Sequence, residues 1–284
     1  MNEVRNATQD TNAAVKNLDT EHKQDKIQRW LSAPDPSINY NKALQQRNKD
    51  SGLWFLQTEA FAKWKTRPNS FLWLHGIPGC GKTILSSTIV EDLDRATSHT
   101  QPLLYFYFDF SDSGKQSLDS MVRSLTSQLY HKRKDTQKLL DSLFSSYGDG
   151  CRQPTADSLC TGLLDMIQQV DEVWIVLDAL DECHSRKGTR TEGLILWMED
   201  LLHSKLRNVH LLATSRQEED IESSLSKWAR TKDMMHIQSD LVTDDIRAYV
   251  RTRVKEDDGL RRWRSQPDIQ EEIETRLMEK ACGM

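Results

Sequence analysis

The segment Gly76-Ile77-Pro78-Gly79-Cys80-Gly81-Lys82-Thr83 constrains this chain more than any other stretch. The apolar run Phe71 to His75 precedes it and reads as a buried strand. Ile84, Leu85, Thr88, Ile89 and Leu93 follow at intervals that place them on one helix face. Strand, glycine loop, Lys-Thr and helix is the context a phosphate-binding loop requires. The glycines let several main-chain N–H groups converge on phosphate oxygens, and the helix N-terminus adds its positive end. Lys82 is placed to reach the β- and γ-phosphates, and the Thr83 hydroxyl to hold Mg²⁺. The candidate nucleotide-binding residues are therefore Gly76, Ile77, Pro78, Gly79, Cys80, Gly81, Lys82, Thr83 and Ile84.

Composition excludes several classes. With 37% apolar and 29% charged residues, the chain can bury a core and keep a polar surface. A net charge of −5 is not the basic footprint of a nucleic-acid binder. No apolar run approaches the roughly 18 residues that a membrane span needs. Met1 to Gln24 lacks the apolar region of a secretory signal, so the sequon at Asn6-Ala7-Thr8 carries no meaning. The five cysteines, Cys80, Cys151, Cys160, Cys183 and Cys282, form no Cys-x-x-Cys pair, and a reduced, cytoplasmic setting is expected. Cys80 reads as a small residue that fits the loop, and Cys183-His184 lacks the two further ligands of a metal site.

Along the chain, residues 1–35 read as a polar arm with Val4, Thr11, Val15 and Leu18 on a thin stripe, then a short amphipathic helix over Lys26 to Leu31. Pro34 and Pro36 end it, and a core of residues 36–240 follows. Phe61 and Trp64 are spaced to share a helical face, and the aromatics around Trp54 are expected to pack the sheet edge or line a base pocket. Strands are expected over Leu103 to Asp109, Val173 to Asp178, Val209 to Thr214 and Met234 to Ile237. Between them, helical patterns run from Leu118 to Leu129, Thr136 to Tyr147, Leu159 to Ile167 with Thr155 as N-cap, and Leu194 to Leu202. Strands alternating with helices predict a three-layer α/β fold with a five-stranded, mainly parallel sheet. Residues 241–284 read as a two-helix lid, the first helix capped by Thr243 and the last stopping at Gly283. The end at Met284, directly after that helix, reads as an interruption.

The run Val173 to Leu177 ends in Asp178, a carboxylate at the sheet edge where the phosphates would lie, so Asp178 and Thr83 are the expected Mg²⁺ ligands. Asp181 and Glu182 follow, placed to orient or deprotonate an attacking water. Arg216 closes the next strand, where a guanidinium can contact a γ-phosphate.

Together these segments resemble a known family. Gly76 to Thr83 looks like a Walker A motif, and Val173 to Glu182, with Asp-Ala-Leu-Asp-Glu, resembles the extended Walker B of NACHT-type STAND NTPases. Leu211 to Arg216 resembles their sensor strand. Trp30 to Pro34 and Lys115-Gln116 are similar to fungal NACHT proteins with a nephrocystin-like N-terminal NTPase. The resemblance, which covers roughly Lys26 to Met284, implies an AAA+-like sheet with the sensor strand between the two Walker strands. It implies ATP or GTP with Mg²⁺, slow hydrolysis, and a switch between a closed diphosphate form and a self-associating triphosphate form. Fungal members act in non-self recognition and programmed cell death, and many carry ankyrin, WD40 or TPR repeats further on. One departure is Ala179, where the family usually has Gly; both are small, so little effect is expected. A steadily cycling AAA+-like ATPase, a small-molecule kinase and a non-enzymatic nucleotide-binding scaffold are the competing readings.

Overall fold

In the computed structural model, residues 20–48, 50–96, 101–186, 193–204, 206–237 and 239–282 are described. The expected arm, its sequon and Gly283 lie outside them. The first helix, α1, covers residues 20–31, six residues more than its apolar pattern predicts. Ile27, Trp30 and Leu31 are buried, and the Trp30 indole donates to the Arg152 carbonyl at 2.7 Å. The turn at Ser32 leads to α2 (Ser37–Gln46), α3 (Leu53–Leu56) and α4 (Glu59–Thr66), and Phe61 and Trp64 share the buried face of α4.

Five strands form one sheet: β1 (Ser70–His75), β2 (Leu103–Tyr107), β3 (Val173–Asp178), β4 (Val209–Ser215) and β5 (Met234–His236). Their order is β2-β3-β4-β1-β5, and all neighbours are parallel. The fourth strand lies between the first and third, as the resemblance implies.

The alternation of side chains explains the three layers. Phe71, Trp73, Ile175, Leu177, Leu211 and Ala213 belong to one core; Leu72, Leu74, Trp174, Val176 and Leu212 belong to the other. A parallel strand covered on both faces needs apolar side chains at every position, which is why these segments are unbroken apolar runs. The first core is filled by α6 (Leu118–Lys132), α7 (Gln137–Ser146), α8 (Ala156–Ile167), α9 (Leu194–His203) and α10 (Glu219–Leu225). The second is filled by α3, α4, α5 (Lys82–Ala96) and Val242 of α11 (Ser239–Glu256). The Thr155 hydroxyl accepts from the Ser158 amide and caps α8 as expected.

Other details also differ from the sequence reading. The strand predicted to reach Asp109 ends at Tyr107, because Asp109 accepts from the Ser111 amide and turns the chain off the sheet. Thr243 does not cap α11; the helix begins at Ser239 and Thr243 lies within it, since Val242 and Ile246 share the face packed on the second core. The charged segment after it forms a 3₁₀ turn, Asp258–Trp263, before α12 (Pro267–Cys282), which packs on α11 through Arg251 and Glu274.

Candidate functional site

The carboxyl ends of β1, β3 and β4 meet at one rim. The loop after β1 turns through Gly79 and Gly81, with φ of 80° and 84°, conformations that a side chain disfavours. Gly76 is needed for space instead: a Cβ there would stand 2.9 Å from the Cys80 sulfur and 3.2 Å from the Ile237 carbonyl. Above Gly79 and Gly81 nothing lies within 4 Å of such an atom, so the concave side of the loop is open. The Lys82 ammonium folds back on the Gly76 and Ile77 carbonyls, both at 2.8 Å.

Register sets the acid. Leu177 pairs with Ala213, which brings Asp178 level with Thr214 on β4. Asp178 is only 2% exposed. Its oxygens accept three hydroxyls: Thr83 at 2.8 Å, Ser86 at 2.5 Å and Thr214 at 2.7 Å. Burial pushes the Asp178 carboxyl above its usual range, against those hydroxyls and the Lys82 charge, which favour the anion. Thr83 and Ser86 reach one carboxylate because they stand three apart on α5. Ser86 and Thr214 were not among the residues singled out from sequence. The available signal was their polarity on otherwise apolar, buried faces.

The remaining candidates gather on the same rim. Asp181, whose side chain is 5% exposed, accepts from the Arg216 amide at 2.9 Å and forms an ion pair with its guanidinium Nε at 3.1 Å. Each Asp181 oxygen thus has an arginine partner. Among the described residues, Glu182 makes one hydrogen bond, with the Phe110 amide at 2.8 Å. Burial raises the Glu182 pKa, the Phe110 N–H opposes that, and Asp181, Asp109 and Asp178 add to the rise. Ala179 takes the left-handed conformation, φ 59° and ψ 52°, and its amide donates to the Thr214 hydroxyl at 3.1 Å.

Two cavities share this rim. One, of about 280 Å³, is lined by the glycine loop, Lys82, Thr83, Ala179, Asp181, Glu182, Thr214 and Arg216. The other, of about 210 Å³, lies between the loop and α11, with Trp54, Leu85, Val242, Ile246 and Tyr249 as apolar walls. Gln46, Gly79, Gly81 and Ile84 line both, so they form one cleft with a polar end and an apolar end. Trp54 is therefore a pocket wall, while Phe55, Phe61 and Trp64 are core. A hydrogen bond of 2.7 Å from the Gly52 amide to Asp245 ties α11 across the apolar end.

Among the described residues, no group of three or more His, Cys, Asp or Glu side chains could hold a metal by itself, and no helix is long and apolar enough to cross a membrane. A three-layer parallel sheet, a glycine loop feeding a helix, and an acid on the neighbouring strand define a P-loop NTPase-like, nucleotide-binding protein. The family model described as Nephrocystin 3, N-terminal, matches residues 50–216, more than half of the chain, and the chain belongs to that family. Vegetative incompatibility protein HET-E-1 of Podospora anserina is 22% identical over 215 residues, 72% of this chain. The matched part is 15% of that relative's length. A solved structure of the Aeropyrum pernix ORC2 protein in ADPNP–ADP complexes aligns with 69% of this chain and 51% of its own, at a TM-score of 0.41 and 11% identity.

Proposed function

We propose that the chain is a slow Mg²⁺-dependent nucleoside triphosphatase that works as a signalling switch. The observation that carries this reading is the continuous cleft, whose apolar end suits a purine and whose polar end suits a polyphosphate. The main-chain amides of Gly79, Gly81, Lys82, Thr83 and Ile84 cradle the phosphates, while Gly76, whose amide donates to the Ser215 carbonyl, and Pro78, which has no N–H, shape the loop, and the Lys82 ammonium exchanges two carbonyls for phosphate oxygens. Thr83 and Asp178 fit a hard cation: a hydroxyl and a buried carboxylate 2.8 Å apart, with the acid short of positive partners. Bound there, Mg²⁺ supplies charge neutralisation at the β- and γ-phosphates. Glu182 orients and deprotonates the attacking water, since Asp181 is engaged by Arg216. Arg216 responds to the γ-phosphate, and Asp181 transmits its position to the loop after β3.

The finer reading draws on the relatives. HET-E-1 is named for vegetative incompatibility, and a role in fungal non-self recognition or programmed cell death is the corresponding proposal here. It includes self-association through the NTPase core, a cytoplasmic setting and a repeat region, ankyrin, WD40 or TPR, in longer relatives. The test combines turnover with size-exclusion chromatography. Glu182→Gln is expected to bind MgATP or MgGTP like the wild type but to hydrolyse it about a hundredfold more slowly. With a non-hydrolysable triphosphate the protein is expected to elute larger than with ADP. Rapid turnover with no change in size would favour a steadily cycling ATPase instead.

A further inference from the structure

The proposed chemistry makes no use of Lys115, although it is among the most buried charged side chains described, at 3% exposure. A buried ammonium is costly unless its donors are satisfied. Here the Nζ donates to the Asn39 side-chain oxygen at 2.5 Å, with Asp112 at 3.7 Å. Asn39 belongs to α2, and its amide nitrogen donates to Asp109 Oδ2 at 2.8 Å. Asp109 Oδ1 in turn accepts from the Ser111 amide at 2.9 Å and its hydroxyl at 2.5 Å. From the other side, Gln116 Nε2 donates to the Asp109 and Phe110 carbonyls at 3.1 and 2.6 Å. The main chain of residues 109–111 is therefore gripped on both sides. Its product at the site is one group, the Phe110 amide, 2.8 Å from Glu182 Oε2. The Phe110 side chain is 72% exposed and points away from that task.

From this geometry we infer that Lys115, Asn39 and Asp109 are positioning residues: they fix the Phe110 amide against Glu182 and so hold that carboxylate in place for hydrolysis. This rests on the reading that Glu182 acts on the attacking water. It adds that α2, which also lines the cleft through Gln46, controls that carboxylate from the opposite side of the loop. The groups facing Glu182 are Asp181, Asp109 and Asp178, with Arg216 reaching it through Asp181 and Lys115 through Asp109. Loss of the staple removes a donor to Glu182 and unshields Asp109. Both changes favour the protonated acid.

The test measures hydrolysis of MgATP and MgGTP, nucleotide affinity, and hydrogen exchange at the Phe110 amide, in the 284-residue chain. Asn39→Ala and Lys115→Met are expected to lower kcat roughly ten- to a hundredfold, part of what a positioned general base contributes. Nucleotide affinity should stay within about threefold, because neither residue lines the phosphate cavity. The acidic limb of the kcat–pH profile should move to higher pH, a shift that a merely structural role would not produce. Exchange at Phe110 should accelerate in both variants, which reads the staple even without turnover. If Glu182→Gln abolishes hydrolysis while Asn39→Ala leaves kcat, its acidic limb and Phe110 exchange unchanged, the positioning role is overturned and the role of Glu182 stands. If Glu182→Gln hydrolyses normally, the underlying reading falls, and this one with it.

Discussion

Two residues beside the phosphate cavity carry strain of different kinds. Ala179 holds a left-handed backbone that glycine adopts freely and an L-residue adopts at a cost of about 1 kcal/mol or more. The size of the side chain, which suggested indifference between Ala and Gly, was thus the wrong property to weigh; the backbone angle is what distinguishes them. Ala179→Gly is expected to stabilise the protein by about 0.5–1 kcal/mol, with Tm rising roughly 2–4 °C per kcal/mol. A lower Tm would show that the alanine methyl earns more by packing than its conformation costs. Asp178 carries electrostatic strain. Its folded-state pKa is raised, so its unfavourable term is absent below the unfolded carboxylate pKa and grows as pH rises through the folded value. Asp178→Asn should therefore raise Tm at neutral pH without Mg²⁺, and the gain should vanish toward pH 3. Equal Tm at pH 7 would contradict the assignment of burial as the dominant cause.

Among the elements, legibility followed locality. β1, β3 and β4 were readable because burial on both faces forces apolar side chains at every position. α10 was missed because only Ile221 and Leu225 turn inward, too few to set a period. The glycine loop and Asp178 were readable from strand ends, whereas for the apolar end of the cleft the sequence left Trp54 between a base pocket and the sheet edge. That end forms where Gln46 to Asn48 and Ser51 to Trp54 meet α11, and its tie, Gly52 to Asp245, spans 193 positions. No local pattern announces such a contact. The tie also makes a prediction about the lid. Burial raises the Asp245 pKa while the Gly52 amide opposes it, and the pair is partly shielded from water. Asp245→Ala should cost about 1–3 kcal/mol locally, from the stranded amide and lost anchor. Hydrogen exchange in residues 242–256 should accelerate while the sheet stays protected. Unchanged exchange there would mean that Val242 and Ile246 alone hold α11 in place.

For the whole molecule, the sheet order and the family assignment agree on one layout: a rim where a glycine loop, a buried acid and an arginine-bound loop converge, roofed on one side by α11. The account depends on that rim gripping a polyphosphate. Calorimetric titration of MgATP and MgGTP into the wild type and Lys82→Ala is the most direct measurement. Charge-assisted contacts contribute roughly 1.5–3 kcal/mol each, so saturable binding by the wild type should weaken at least tenfold in the variant. Equal affinity in the two proteins, or no binding by the wild type, would contradict it.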